Sequence, residues 1–430
     1  MSCKIEDIVR NELCVGCGLC VTESRSSKMD WNEEGFLVPV LDNSFNEHAI
    51  KLCPFNPFPE KEVKDEDVLA DTIFPVSKHK DFKIGRFENT YGGYSNEYRE
   101  TSSSGGIATY IFEQLLEEKI VNHLFIVKEI NGTYTYQWFD NIEKIKEISK
   151  TRYIPVTMEN LFKEIDSKEG KVAVSGVACF VKAIRLKQHY SPQYKEKIPF
   201  VIGIICGGLK SRFFTEYLAQ TSGVKGKYEK QEYRIKDKAS LASDYSFGAF
   251  DDKHTFHQMK MSKVGDMWGT GLFKSNACDF CDDVTTELAD ISLGDAWLPE
   301  YRNEGLGNSV IVTRSKLADR LIEKGIEKNE LSVISISKDK IIQSQRASFS
   351  HRQDSLYFRK KYSHFKIEKR KRFKKQLSIP YKVVQLVRRK TRAESISIWR
   401  KYNNDQIFRK KMKVYLKLLR IVTKINHKLR

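Results

Sequence analysis

The chain has 430 residues, enough for two or three domains, with a formal net charge of +18 and nine cysteines. No apolar run approaches the roughly 18 residues that span a bilayer, and the charged start MSCKIEDIVR reads as lacking a secretory leader. The expectation is a cytoplasmic protein in a reducing compartment, where clustered cysteines bind metal rather than pair as disulfides. The charge is uneven. Residues 351–430 hold 27 Lys/Arg against 4 Asp/Glu, and the rest of the chain 47 against 52.

Residues 1–60 read as a small ferredoxin-like domain. Cys14, Cys17 and Cys20 have C-x2-C-x2-C spacing, and Cys53 follows far downstream with Pro54 directly after it. Two-cluster ferredoxins use C-x2-C-x2-C-x3-C-P twice, and the fourth cysteine of each run ligates the other cluster. Here Ser24 stands at the fourth position of the first run, while Ala49, Asn46 and Asn43 stand where the second run would begin. One full ligand set is kept and the other is lost together, as expected for a single [4Fe–4S] cluster. A zinc site would prefer two C-x2-C pairs, and lone buried cysteines do not crowd three into seven positions. Trp31 to Val40 reads as a short hairpin around Glu34-Gly35. Cys3 has no assignment.

Residues 61–90 read as a linker, and 91–170 as the next domain. Within it TSSSGG (Thr101 to Gly106) enters a helix whose apolar positions Ile107, Ile111, Leu115 and Leu116 recur at helical spacing. HLFIVKEI follows as a strand. From 171 to 350, KVAVSG is a strand ending near Gly176, with Cys179 just beyond and FVKAIRLKQ as a helix. PFVIGIIC, Cys206-Gly207-Gly208 and SRFFTEYLAQ repeat strand, turn and helix. This alternation predicts a mainly parallel sheet with ligands beyond the strands' carboxyl ends. Residues 230–300 read as short strands, among which His254 and His257 fall in a loop or hairpin. Residues 305–350 return to strand and helix. The expected class is α/β and α+β: the cluster domain, a mixed α/β core (flavoprotein-type by the resemblance given below) and a helical basic tail.

Cys278 and Cys281 form a further C-x2-C pair. With Cys179 and Cys206 they make a second set of four, read from spacing alone either as a second [4Fe–4S] site or as a zinc-bound or unligated pair beside two core cysteines. TSSSGG-IATYIFEQLLEEKIV, SGVAC-FVKAIR, IICGGLKS and C-x2-C-D-x-x-x-E-x-A-D-I-S-L-G-D-A-W occur in this order. With the head, they resemble the coenzyme F420 hydrogenase/dehydrogenase beta-subunit family over roughly residues 1–345. The resemblance implies an iron–sulfur flavoprotein oxidoreductase carrying FAD, with Cys179, Cys206, Cys278 and Cys281 on a cluster near the flavin. It implies a redox partner such as a ferredoxin, a reduced deazaflavin or a nicotinamide. Asn308-Ser309 after Gly-Asp-Ala-Trp is similar to a bacterial polysaccharide-locus variant of the family, which need not use F420. No G-x-G-x-x-G follows a predicted strand. Ser102, Ser103, Ser104, Gly105 and Gly106 are therefore the candidate phosphate cradle, an ordinary serine-capped helix start being the alternative. Asp295 and Trp297 are candidate neighbours of flavin or cluster. No catalytic set stands out.

The tail carries KRKRFKK and RRK. In its last segment Met412, Tyr415, Leu419 and Val422 share a helical face continued by Ile425 and Leu429, with Lys411, Lys413, Lys417, Arg420 and Lys424 around it. Such a helix suits an anionic membrane surface at the inner face or an acidic partner, or packs on the body with a solvated basic face; nucleic acid ranks last. Two readings of other classes remain: a non-catalytic iron–sulfur carrier or scaffold docked by the tail, and a zinc-containing nucleic-acid binder.

Overall fold

A computed structural model describes residues 3–24, 26–42, 47–148 and 150–429. Asn43 and Asn46, two of the vanished ligand positions, lie outside them. The core is an eight-stranded sheet. Its strands run in the order Leu331–Ser335, Thr90–Ser95, Ser309–Thr313, Ile291–Asp295, Phe200–Ile204, Val172–Val177, His123–Ile130, Thr133–Phe139. The fourth to seventh strands of this order are parallel, with Ser175 beside Ile202 and Ile202 beside Ile291; every ladder outside them is antiparallel. The sheet is thus mixed rather than mainly parallel. The apolar runs that signal a strand buried on both faces look the same in either direction, so spacing alone did not reveal the antiparallel flanks.

Side chains alternate across the sheet with the period of two that strands impose. Phe125, Val174 and Val201 point to one layer, where Phe180, Ile184, Leu161 and Leu69 cover them. Leu124, Ala173, Phe200, Ile202 and Leu293 point to the other, under Ile111, Leu115, Leu321 and Ile322. The helices Ala178–Tyr190 and Ile107–Glu117 so lie on opposite faces. Burial of this kind stabilises by about 25 cal/mol per Å² of apolar surface.

The expected hairpin is present, Lys28–Trp31 pairing with Leu37–Val40. Gly35 turns it at φ +72°, and its carbonyl accepts the Arg212 N–H, which fixes the head to the helix Arg212–Ser222. Residues 61–90 carry more than a linker: the helix Glu66–Ile73, capped by Asp65, and the hairpin His79–Asp81/Gly85–Phe87. Leu69, Ile84 and Phe87 are buried there, three apolar anchors masked by the charges around them.

A three-stranded antiparallel sheet of Tyr228–Ile235, Ser246–Asp251 and Phe256–Lys260 stands apart and packs its Tyr233, Phe247 and Met259 with Phe214, Trp399 and Phe408. The chain ends in two antiparallel helices, Ile379–Tyr402 and Asp405–Lys428, joined through Asn403 in the left-handed region and capped by the Asn404 side chain. No described helix is long and apolar enough to cross a membrane.

Candidate redox site

The first cysteine set rests on tight local turns. Gly16 and Gly18 take φ +74° and +82°, and a Cβ on Gly18 would lie 2.1 Å from Thr157 Oγ1. These turns aim backbone N–H groups at sulfur: Gly16 toward Cys14, Gly18 and Leu19 toward Cys17, Val21 toward Cys20, and Phe55 toward Cys53. Burial pushes the Cys14 thiol up to about 12 and Cys17 up to about 11, and it raises Cys20 and Cys53 as well. Cys20 feels Cys17, Cys14 and Cys53 in turn, so the four sulfurs form one electrostatic group. Metal binding at such thiols would release their protons. Cys3 lies in the apolar cluster beside Cys14 and Cys53.

The second set is assembled from three segments. Cys179 lies in the first turn of the helix that follows Val172–Val177, Cys206 follows Phe200–Ile204, and Cys278 lies within the turn Asn276–Phe280 that Cys281 closes. All four line one cleft, with Gly207, Gly208, Lys274, His351 and Arg352. The Gly208 and Leu209 N–H groups donate to Cys206 Sγ at 3.2 Å and Cys278 Sγ at 3.1 Å. Arg352 Nη2 donates to Cys281 Sγ at 2.6 Å, and its Nη1 to the Cys206 carbonyl at 2.6 Å. The guanidinium is held firmly charged by these sulfurs despite burial. Among the described residues, no three His, Cys, Asp or Glu are drawn in around a single ion. Four cysteines with backbone N–H groups aimed at sulfur are the donor chemistry of a [4Fe–4S] cluster, and each set offers it.

Val15 and Phe55 of the head line the cleft of the second set, and Cys17 is close enough to raise the Cys179 thiol. The two sets therefore share a wall.

From the second set an aromatic and cationic wall leads away. A Cβ on Gly207 would meet the Trp268 ring at 3.0 Å, and Trp268 lies 4.8 Å from the Tyr153 ring. Tyr153 is hydrogen-bonded to Arg234, which pairs with Asp295 and stacks over Tyr245 and Trp297. Lys236 follows, donating to the Ser104 carbonyl at 2.6 Å. Burial, with the Arg234, Arg99 and Lys150 charges nearby, pushes Lys236 down to about 7. Among the described residues, Arg234 Nε and Arg152 Nε are buried without a hydrogen-bond partner.

The Ser102 to Gly106 loop does precede the helix Ile107–Glu117, with Gly106 left-handed at its N-cap. Its hydroxyls are largely engaged within the protein. Ser103 Oγ accepts the Thr151 N–H, Ser104 Oγ donates to the Asn308 carbonyl, and Ser309 Oγ accepts the Gly105 N–H. Ser102 Oγ lies against Thr109 Oγ1. The positive charge beside the loop comes from Lys236, Arg152 and Arg234, the last paired with Asp295. The uncompensated Nε groups and the depressed lysine fit an anion such as a pyrophosphate better than the serines do. Asp295 sits at the carboxyl end of its strand, and Trp297 is half exposed beside it. The sequence had pointed to neither Arg352 nor Trp268, Tyr153, Arg234 or Lys236, since each comes from a segment with no motif of its own.

The family "Coenzyme F420 hydrogenase/dehydrogenase, beta subunit N-term" matches residues 90–163, and its C-terminal counterpart matches residues 169–339. The second cysteine set, Arg234 and Asp295 fall inside these matches; the first set and Arg352 fall outside. A coenzyme F420-dependent sulfite reductase of Methanocaldococcus jannaschii is 20% identical over 76% of this chain, and the chain spans about half of that protein, 48%. The coenzyme F420 hydrogenase subunit beta of Methanosarcina barkeri is 24% identical over 54% of this chain and 75% of its own length. In fold, a chain of the F420-reducing [NiFe] hydrogenase complex from Methanosarcina barkeri matches 68% of this chain and 98% of its own, with TM-score 0.51 and 19% identity.

Proposed function

We propose, from the premise that this chain belongs to the coenzyme F420 hydrogenase/dehydrogenase beta-subunit family and so to oxidoreductase electron transfer, that it is an iron–sulfur flavoprotein. Cys14, Cys17, Cys20 and Cys53 would hold one [4Fe–4S] cluster, and Cys179, Cys206, Cys278 and Cys281 a second. A flavin, FAD by family resemblance, would lie along the wall from Trp268 to Lys236, its phosphates toward Arg234, Arg152, Lys236 and the Ser102 to Gly106 loop. Clusters supply one-electron storage and a flavin links it to two-electron chemistry, which suits a deazaflavin like F420 or another hydride acceptor.

The observation that carries this reading is the shared wall. Val15 and Phe55 join the two cysteine sets, and Gly207 joins the second set to Trp268. The residues have separate tasks in it. Backbone N–H groups hold the sulfurs and stabilise their negative charge, and Arg352 adds a full positive charge at Cys281. Asp295 fixes the Arg234 guanidinium against Trp297 and Tyr245. The apolar cluster of Leu13, Phe55, Ala277 and Phe280 keeps water from the two sets.

Counting iron, acid-labile sulfide and extracted flavin on protein purified without oxygen tests the proposal. The expected result is about eight irons, eight sulfides and one FAD per chain. About four irons without flavin would leave a one-cluster carrier or scaffold, and zinc in place of iron would overturn the redox assignment.

A further inference from the structure

The last helix divides its surface differently from the pattern first read off its sequence. Phe408, Met412 and Leu419 are buried, and Tyr415 and Val422 partly so, packed against the core and the preceding helix. That face is spent. A second apolar stripe, rotated away from it, stands free: Ile407, Val414, Leu418, Ile421, Ile425 and Leu429. Steps of 7, 4, 3, 4 and 4 keep these six on one line along the helix, about 33 Å from end to end at 1.5 Å per residue. Val414 and Leu429 are 70% and 69% exposed. At the same end of the antiparallel hairpin, Ile379, Val383 and Leu386 of the preceding helix are exposed too.

Lysine and arginine border this stripe. Lys410, Lys413, Lys417, Arg420, Lys424 and Lys428 follow one edge and Lys411 the other, while Asp405 is the helix's single acid. Arg409 pairs with Asp405; among the described residues, no acid pairs with the six cations of the long edge. Other cations of the tail serve the core instead: Lys369, Arg370 and Arg359 are buried against Asp282, Glu287 and Asp279. A continuous row of charge without acidic partners thus borders the exposed apolar line.

We infer that the helix Asp405–Lys428 docks flat on an anionic phospholipid surface, with its Ile407 to Leu429 stripe sunk among the acyl chains and its lysines on the headgroups. A straight, purely aliphatic line without a groove matches a plane, whereas protein partners seek aromatic or arginine anchors in pockets. Long lysines flanking an apolar stripe are the arrangement of interfacial helices. This inference stands independently of the cofactor assignment.

The test is co-sedimentation of the full chain with vesicles of phosphatidylcholine alone and of phosphatidylcholine mixed with phosphatidylglycerol. Binding is expected to the mixed vesicles only, and it should weaken as salt is raised. Leu418→Ser with Ile421→Ser and Ile425→Ser should abolish it and leave helix content and melting temperature unchanged, since those side chains face solvent. Lys413→Gln with Lys417→Gln and Lys424→Gln should weaken it on the order of a hundredfold, at about fivefold per lysine. No binding of the parent chain at low salt, equal binding to both vesicle types, or undiminished binding by both triple variants would each overturn the inference. So would a solution dimer that the serine variant dissolves in the absence of vesicle binding, which would assign the stripe to a second copy.

Discussion

Three of the four cysteines in the first set lie within seven residues and reach their places by local turns, whereas the second set needs two parallel strand ends, a distant C-x2-C turn and a residue from beyond position 350. The difference shows in how sulfur is compensated. Backbone N–H groups serve the first set; the second adds the Arg352 side chain, brought across 146 residues to the Cys206 carbonyl. A motif of close spacing thus carries its own solvation, and a site of scattered origin borrows charge from elsewhere in the chain.

Removing a ligand from each set gives the sharpest contrast. Cys17→Ser and Cys278→Ser should each cost about four irons per chain, counted by iron and sulfide assay, and each should leave the other cluster in place. Loss of all iron in either variant would mean that the shared wall of Val15 and Phe55 makes the two sites one unit.

The buried charges behind the second set come next. Arg370 is 1% exposed and pairs with Asp282, Glu287 and Asp67. Arg370→Leu strands those carboxylates and should destabilise the chain by about 3–5 kcal/mol, read as a lowered denaturation midpoint. A comparable loss from Arg10→Leu, at a surface pair near the first set, would erase the distinction.

Arg352→Gln is gentler. It keeps a hydrogen-bond donor near Cys281 but removes the positive charge, so the reduced, more negative cluster loses its support. The midpoint potential of the second cluster should fall by roughly 60 mV, about tenfold in a one-electron equilibrium, with iron content and the first cluster unchanged. Potentiometric titration followed by electron paramagnetic resonance separates the two signals.

Spacing made the first set readable because its ligands, glycines and hairpin are neighbours in sequence. It also placed Cys179 and Cys206, since strand followed by helix leaves the intervening residue at the sheet's carboxyl edge. Arg352, Arg234 and Trp268 had no such signal; only the folded sheet brings them to the site. The last helix failed for another reason. Its two apolar stripes are separated by little more than a quarter turn, and the sequence does not say which one meets the core. The segment 61–90 looked like a linker because Leu69, Ile84 and Phe87 are spaced too widely among charges to show a period.

Without metal, stability should also depend on pH. Burial raises Cys14, Cys17 and Cys278 from about 9 to between about 11 and 12. The folded apo chain thus keeps thiol protons that the unfolded chain has already released, so its stability should be intact below pH 9 and fall as pH rises from 9 toward 12. With cluster bound the sulfurs are already deprotonated, and the cysteine contribution to that fall should be absent, so the melting temperature should drop less steeply than in the apo chain.

The strap from Arg352 to Arg370 has a bearing on how the protein is made. The residues that close the second cysteine set, Arg352 at the sulfur and Arg370 beneath it, leave the ribosome after all eight cysteines have emerged. On the proposed assignment, a chain terminated before Arg352 would carry all eight cysteines yet leave Cys281 without its counter-charge and the carboxylates around Asp282 without theirs.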